Sequence, residues 1–247
     1  MRKNHLNGKE KITKKRIIGF LGAIALVWAI GLFSDPALAA LSFGGLVGWY
    51  SPNFGEINDY LTHRNTIWDT DWKFEEGMMY GAAVEYEITP NFKLRGEWNG
   101  FNAETSDSDG VGWMGYHAEY KLNLNAYTLS GIYTVSPKEA LSPYIGIGLG
   151  QFMTKFRWDE TRSIRGTPVD TSTGSETEGP IGFQALIGIE FGTETLLLWG
   201  EARYISAKVE MEDFESLGWV SLLDGRVSGT TIDLGGLFLN VGAIIRF

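Results

Sequence analysis

Charged side chains recur at alternate positions of three segments, a spacing that could gather them in one buried cluster. They are Glu85, Glu87, Lys93, Arg95, Glu97, Glu201 and Arg203. Alternate residues of a β-strand point to the same face, so charges of both signs would meet inside a sheet that closes on itself. Because an unpaired charge in a narrow interior is costly, we expect an ion-pair plug that fills this interior. The functional alternative is a gate, in which re-pairing of the charges opens a narrow polar path.

Acidic side chains elsewhere offer oxygen ligands, but their spacing predicts no metal site. The stretch from Asp107 to Gly110 is a fragment of a calcium-loop pattern, and the bidentate Glu that such a loop requires downstream is missing. Asp69 and Asp71 form a similar fragment. The chain contains no Cys, which excludes a disulfide framework and a thiolate metal site. With no glycine-rich phosphate loop between a strand and a helix, we expect neither a metal nor a cofactor.

The C-terminal segment Ile232–Phe247 has the pattern of a strand that lies between lipid and a barrel interior. Its alternate residues form a wholly apolar face: Leu237, Leu239, Val241, Ala243, Ile245 and Phe247. The opposite face mixes apolar, polar, charged and glycine residues. In a transmembrane barrel the apolar face would meet lipid and the mixed face would meet the lumen.

Segments with the two-residue period of a strand recur along the chain and are bounded by turn residues. They are Leu41–Asn53, Met78–Ile88, Phe92–Phe101, Trp113–Val135, Pro143–Asp159, Pro180–Gly192, Thr195–Met211 and Ile232–Phe247. The connections between these segments alternate in length, with long loops predicted at 54–77, 102–112, 160–179 and 212–231. An even strand number and sorted connections are typical of outer-membrane barrels. The sequence therefore predicts an all-β, eight-stranded antiparallel up-and-down transmembrane β-barrel with long external loops and short periplasmic turns.

The first 39 residues read as an export signal. A basic region precedes the apolar run Ile17–Phe33, and Ala37-Leu38-Ala39 then forms a cleavage site. We expect cleavage after Ala39, with Ala40 as the alternative site, and a barrel domain over residues 40–247; a permanent signal anchor is the other reading. Cleavage would remove 7 of the 21 basic and 2 of the 30 acidic residues, leaving a formal net charge of −14. Such a charge argues against nucleic acid as a partner.

The hairpin from Gly81 to Trp98, GAAVEYEITPNFKLRGEW, resembles a motif of the small bacterial outer-membrane β-barrel family. This family includes OmpA-transmembrane-domain-like and opacity-like porin-family proteins. The segment Pro143–Gly150 and the terminal Phe247 also resemble it. The resemblance implies a Gram-negative outer membrane, lipid and lipopolysaccharide around the barrel, and recognition of Phe247 by the barrel-assembly machinery. Because the functions of this family are diverse, the resemblance indicates the architecture of the protein more firmly than its activity.

Three kinds of function are consistent with this architecture. The first is a structural or surface-interaction role, in which the loops meet an extracellular ligand. The second is a narrow porin, or an OmpW-like conduit for small solutes or hydrophobic molecules. The third is a lipid-modifying enzyme, but the His-x-Ser pair of outer-membrane lipid A deacylases is missing at both His63 and His117. Acyl transfer needs a nucleophile beside the histidine base. Because neither histidine has one, we expect that the protein is not an enzyme.

Five aromatic residues lie near predicted strand ends, where they would form interfacial girdles. They are Trp49, Tyr50, Trp98, Trp158 and Trp199.

Overall fold

The structure, a computed structural model, describes residues 41–55, 57–58, 73–111, 113–137, 140–193, 195–211 and 230–246. The chain divides into two units, Met1–Ala40 and Leu41–Phe247, and all described residues belong to the second. The predicted export signal, His63, Asp69, Asp71 and Phe247 therefore lie outside the described residues. None of the helical residues described forms a span long and apolar enough to cross a membrane.

The described residues form strands with short connections between most of them. The strands are β1 (Leu41–Pro52), β2 (Gly77–Thr89), β3 (Phe92–Val111), β4 (Met114–Thr134), β5 (Leu141–Ile164), β6 (Thr167–Glu178), β7 (Ile181–Gly192), β8 (Leu196–Ser206), β9 (Lys208–Met211), β10 (Thr230–Asp233) and β11 (Gly236–Arg246).

Eight of these strands close into a ring in the order β1, β2, β3, β4, β5, β7, β8 and β11. All neighbours pair antiparallel, and β1 closes the ring on β11 through a register that runs from Ser42–Arg246 to Pro52–Gly236. Closure leaves no unpaired edge in lipid, where free backbone groups would be costly. The predicted eight-stranded antiparallel barrel is confirmed. Its turn end carries the short connections 90–91, 135–140 and 193–195, and its loop end is the opposite one.

Apolar side chains face outward around the ring, as the two-residue period predicts. In β7, Ile181 and Ile187 are 79% and 61% exposed, whereas Gln184 between them is 2% exposed. Outward aromatic residues lie towards both ends of this apolar belt, with Trp49 and Trp98 at the loop end. Tyr133 and other outward rings lie at the turn end. This pattern fits a lipid-facing belt between two interfaces.

The girdle prediction is wrong for three of the five aromatic residues. Tyr50, Trp158 and Trp199 point to the inner face and are buried. Strand alternation explains this for Trp199. It lies two and four residues before Glu201 and Arg203, so its ring points to the same inward side as these charged side chains.

Beyond the ring at the loop end, β3, β4 and β5 continue and pair with β6 in a projection that we call the loop-end sheet. It consists of residues 102–111 of β3, 114–123 of β4, 153–164 of β5, and β6. At about 3.4 Å per residue, it rises roughly 30 Å along its strands. β5 joins both parts, because it pairs with β7 over Leu141–Gln151 and with β6 over Thr154–Ile164.

The loop predictions for 102–112 and 160–179 are therefore wrong over most of their length. Residues 102–111 pair with β4 throughout, and residues 167–178 pair with β5. Arg165 and Gly166 form the tight turn of this second hairpin, both with positive φ (51° and 77°), as a twist-matched two-residue hairpin requires. Both segments are rich in polar residues and lie outside lipid, so no apolar period marks them.

Two predicted strands are each interrupted near the loop end. Thr195–Met211 divides into β8 and β9 at Ala207, and Ile232–Phe247 divides around Leu234 and Gly235. The break has a local cause, since the Asp233 carboxylate accepts a 2.7 Å hydrogen bond from the Gly235 amide, which is an Asx turn. The Leu234 amide still donates to the Ala207 carbonyl at 2.9 Å. The interruption therefore does not leave this amide unpaired.

The barrel interior has two layers. Towards the turn end it holds charged and polar side chains, which form the site described below. Towards the loop end it holds an apolar layer of fully buried side chains: Tyr50, Met79, Phe101, Leu124, Phe152 and Phe238. The rings of Tyr50 and Phe101 meet edge to face with centroids 5.1 Å apart, a preferred aromatic geometry. This layer is packed like the core of a soluble domain.

Candidate functional site: the lumen network

The charged layer, which we call the lumen network, consists of Glu85, Lys93, Arg95, Glu97, Glu190, Glu201 and Arg203. Its members come from β2, β3, β7 and β8. β3 and β8 are third and seventh in the ring of eight, so they lie on opposite walls. Ion pairs between them therefore cross the full width of the interior. The strand alternation points these side chains inward, and each of them is buried.

Arg203 binds two carboxylates with its planar fork. Its Nη1 lies 2.6 Å from Glu97 Oε2 and its Nη2 lies 2.8 Å from Glu97 Oε1. Its Nε also donates to Glu201 Oε1 at 2.9 Å. The two contacts with Glu97 form the bidentate arrangement that makes charge-assisted hydrogen bonds strong. Arg203 is thus tied to the opposite wall and to its own strand at once.

Arg95 extends from the opposite wall and is completely buried. Its Nε donates to Glu85 Oε1 at 2.6 Å and its Nη1 donates to Glu201 Oε2 at 2.7 Å. The guanidinium carbon also lies 5.4 Å from the Tyr144 ring centroid and 5.0 Å from that of Trp199, which is within cation–π range. Two rings and two carboxylates therefore fix this side chain.

Lys93 forms the turn-end edge of the network. Its ammonium lies 2.7 Å and 2.5 Å from the two carboxylate oxygens of Glu190. Glu85 lies farther away, at 3.8 Å. Glu190 was not predicted from the sequence, although it occupies an inward alternate position of β7. Pairing Glu190 with Lys93 requires the closed ring, because 97 residues separate the two.

The network holds four carboxylates and three cations, and neutral donors complete the pairing of the carboxylates. Glu201 accepts a 2.9 Å hydrogen bond from the Tyr144 hydroxyl and a 3.2 Å one from Asn240 Nδ2. Glu97 accepts another, at 3.2 Å, from the Thr128 hydroxyl. Buried charges are tolerated where such contacts satisfy their remaining lone pairs.

Glu87 lies apart from the other residues that the sequence placed in the lumen. Its carboxylate is 3.6 Å from Arg246 Nη2, and both side chains are partly exposed. The two residues line a cavity of about 470 Å³ at the turn end, to which Lys93 and Glu190 also contribute. The structure therefore brings six of the seven predicted residues together and leaves Glu87 at the rim.

The other candidate residues for chemistry do not join the network. His117 lies on the outward face of β4, and Asp107 lies in β3 rather than at a loop tip. Among the described residues, no group of three or more His, Asp or Glu side chains could hold a metal ion. What the network can do chemically is hold fixed charges across the interior and exclude solvent from it.

The Trp199 ring, which borders the lumen network, lies directly over Gly242 on the neighbouring strand. A side chain at Gly242 would collide with the Trp199 ring that covers it. Trp199 donates to Asn240 Oδ1 at 3.1 Å and contacts Arg95. We expect Gly242→Leu to lower the free energy of unfolding by about 1–3 kcal/mol, as overpacking does, measured by urea titration in micelles.

Gly200→Leu is the matched control for this substitution. Gly200 faces lipid, and a Cβ placed there has no neighbour within 4 Å. Its unfolding midpoint should stay near that of the unmodified protein. Equal losses in the two variants would show that strand glycines as such, rather than the room beneath Trp199, determine stability.

Comparison with known proteins assigns the family. A family model described as "Outer membrane protein beta-barrel domain" matches residues 25–208. Among solved structures, Neisserial surface protein A is 14% identical with a TM-score of 0.45, covering 85% of this chain and 96% of its own. OprG from Pseudomonas aeruginosa is 13% identical with a TM-score of 0.48, covering 85% and 96%. A major outer membrane protein from Thermus thermophilus is 13% identical with a TM-score of 0.47, covering 85% and 99%. No curated protein matches the chain in sequence.

The family match covers well over half of the chain and includes most of the strands of the ring. The chain belongs to the outer-membrane β-barrel family, and it is an integral β-barrel protein of the outer membrane.

Proposed function

We propose that this protein is a closed outer-membrane anchor, which does not conduct solutes and which presents the loop-end sheet as its interaction surface. The observation that carries the proposal is the filling of the lumen by two layers in series. The lumen network spans the interior from β3 to β8 with contacts of 2.6–2.8 Å. The apolar layer follows it directly, since the Phe238 ring lies 5.6 Å from the Arg203 guanidinium carbon and 6.3 Å from the Tyr50 ring.

The proposal includes an orientation and a set of partners. The turn end would face the periplasm and the loop end the exterior, after export by a signal in residues 1–39 cleaved at Ala39 or Ala40. Phe247 would be recognised by the barrel-assembly machinery, and lipids with lipopolysaccharide would surround the belt. An extracellular ligand would meet the loop-end sheet. Neither enzymatic activity nor nucleic-acid binding is part of the proposal.

A narrow conduit for small solutes is the second candidate function. The observation that favours it is the cavity at the turn end, where Lys93, Glu190 and Arg246 line about 470 Å³. A solute entering there would meet the Lys93–Glu190 pair first. Passage would then require both the network and the apolar layer to open.

Single-channel conductance of residues 40–247, refolded into a planar bilayer, tests the proposal. We expect a silent bilayer, because an eight-stranded interior is just wide enough for side chains to fill. Folding of the inserted protein is verified beforehand by its heat-modifiable migration in gels. Discrete current steps from the folded barrel would contradict the closed-anchor proposal and favour the conduit.

The double variant Arg95→Ala, Arg203→Ala separates the two layers. A gate made by the network alone predicts current steps in this variant. Closure by two layers predicts continued silence, which we expect, because the apolar layer remains. The control is the double variant Arg165→Ala, Lys208→Ala, which removes the same charge from two exposed positions.

A further inference from the structure

Basic side chains lie on the outward face of β4 and β5, immediately beyond the apolar belt. Along β5 the outward residues run from Leu149 through Gln151 and Met153 to Lys155 and Arg157. The last lipid-facing aliphatic side chain of this strand is thus followed, within a few rungs, by two cations. The two cations therefore lie beyond the apolar belt, on the side where the headgroups of one leaflet would begin.

The register gathers a third cation beside these two. Lys121 of β4 pairs directly with Arg157, and its neighbour Asn123 pairs with Lys155. Directly opposed Cβ atoms lie about 5 Å apart, and alternate residues of one strand about 7 Å. The three cations therefore occupy one patch on two adjacent rungs.

Two of the three cations, Lys155 and Arg157, make no ion pair with another described residue. The third, Lys121, lies 2.5 Å from Glu119 and 3.3 Å from Glu104. The hydrogen bond from Lys121 lowers the pKa of Glu119 below its usual value.

On β4 and β5 the charges are also ordered by distance from the belt, whereas Glu104 of the neighbouring β3 lies on the same rung as Lys121. The rungs Asn123–Lys155 and Lys121–Arg157 come first, and the acidic rung Glu119–Asp159 follows farther out. The nearest charges that lipid headgroups would meet on β5 are therefore positive, although the chain as a whole is acidic, with a formal net charge of −9.

The turn end has no comparable patch among the described residues. Lys93 points into the lumen, and Arg246 is partnered by Glu87. At the loop end Lys208 of β9 is a further outward cation, but its ammonium lies 4.0 Å from Asp233. Near the belt, Lys155 and Arg157 are therefore the outward cations that make no ion pair with another described residue.

We propose that Lys155 and Arg157, with Lys121 beside them, bind the phosphate groups of lipopolysaccharide in the outer leaflet. Arg presents a planar fork that matches phosphate, and Lys adds a point charge on a flexible stem. Both stems can extend along the apolar wall and place their charged heads at headgroup level. The occupant follows from charge complementarity and from the height of the patch, and it rests on the orientation in the proposed function, with the loop end outward.

The test measures binding of lipid A by the refolded barrel in neutral detergent micelles. The probes are bisphosphorylated lipid A and its enzymatically dephosphorylated form. The variant Lys155→Gln, Arg157→Gln removes both cations of β5, and Lys73→Gln, Arg165→Gln removes two exposed cations that lie farther from the belt. Each charge near an anionic lipid surface contributes enough for about a fivefold change, so we expect about thirtyfold weaker binding in the first variant and little change in the second.

Three outcomes would overturn the proposal. The first is equal affinity of the unmodified protein for the phosphorylated and dephosphorylated lipid. The second is an equal loss of binding in the two double variants, which would show that net charge alone drives it. Competition by inorganic phosphate at millimolar concentration would assign the patch to free anions rather than to the lipid, and would also overturn it. Because these measurements need no membrane orientation, they can succeed while the conductance experiment contradicts the closed anchor, and the reverse.

Discussion

Arg203→Met is expected to lower the free energy of unfolding of the barrel by about 3–5 kcal/mol, the usual effect of breaking a buried ion pair from one side. The substitution keeps most of the volume and removes the guanidinium. Glu97 then loses both of its contacts to Nη1 and Nη2, at 2.6 and 2.8 Å. Glu201 loses its contacts to Arg203 too, and both carboxylates stay buried with less compensation. Urea-induced unfolding followed by tryptophan fluorescence measures the change.

Arg165→Met is the control for this prediction. Arg165 lies exposed at the tip of the β5–β6 hairpin, where loss of a charge has little effect on stability. Adding Glu97→Gln to Arg203→Met should recover part of the loss, because a neutral amide is less costly to bury than an unpaired carboxylate. A midpoint for Arg203→Met equal to that of the unmodified protein would show that the network does not stabilise the barrel.

Phe101→Ala is expected to lower the free energy of unfolding by about 3–5 kcal/mol, because removal of a large buried ring leaves a cavity. Phe101 is 1% exposed and lies in the apolar layer. Its ring contacts Tyr50 edge to face and lies 6.4 Å from the Phe54 ring. The same urea titration measures the effect, and the barrel should remain closed to ions because the lumen network is intact.

Phe183→Ala provides the comparison for Phe101→Ala. Phe183 faces lipid and is 54% exposed, so lipid or detergent can fill the space that its ring leaves. The loss of stability should be clearly smaller at this site. If the two variants were equally destabilised, ring removal would act through the surrounding amphiphile, and the loop half of the lumen would not be a packed core.

The barrel itself could be predicted because lipid enforces the strand period. In β7 and β11 every outward position inside the belt must be apolar or small, so Ile187 and Val241 reveal their faces by hydropathy alone. The loop-end sheet has no such constraint. In β6 the outward residues Thr171 and Thr173 alternate with inward Ser172 and Gly174, and no difference in hydropathy separates the two faces. Its strands therefore looked like polar loops.

The lumen network was predictable in part for the same reason. Alternation placed Arg95 and Glu97 on one face of β3, and Glu201 and Arg203 on one face of β8. It could not show which charges meet, because that depends on the stagger of strands around the closed ring. Glu190 was missed for this reason, since its contact with Lys93 is made between β7 and β3.

The diametric placement of β3 and β8 determines when the lumen network can form. Arg95 and Glu201, like Glu97 and Arg203, are 106 residues apart in sequence. Their contacts need both half-rings in place, so they form after the hairpins and at or after final closure. Interactions absent from the rate-limiting state slow unfolding and leave the folding rate nearly unchanged. The network therefore has little effect on the rate at which the barrel assembles, and it mainly slows the opening of the closed ring.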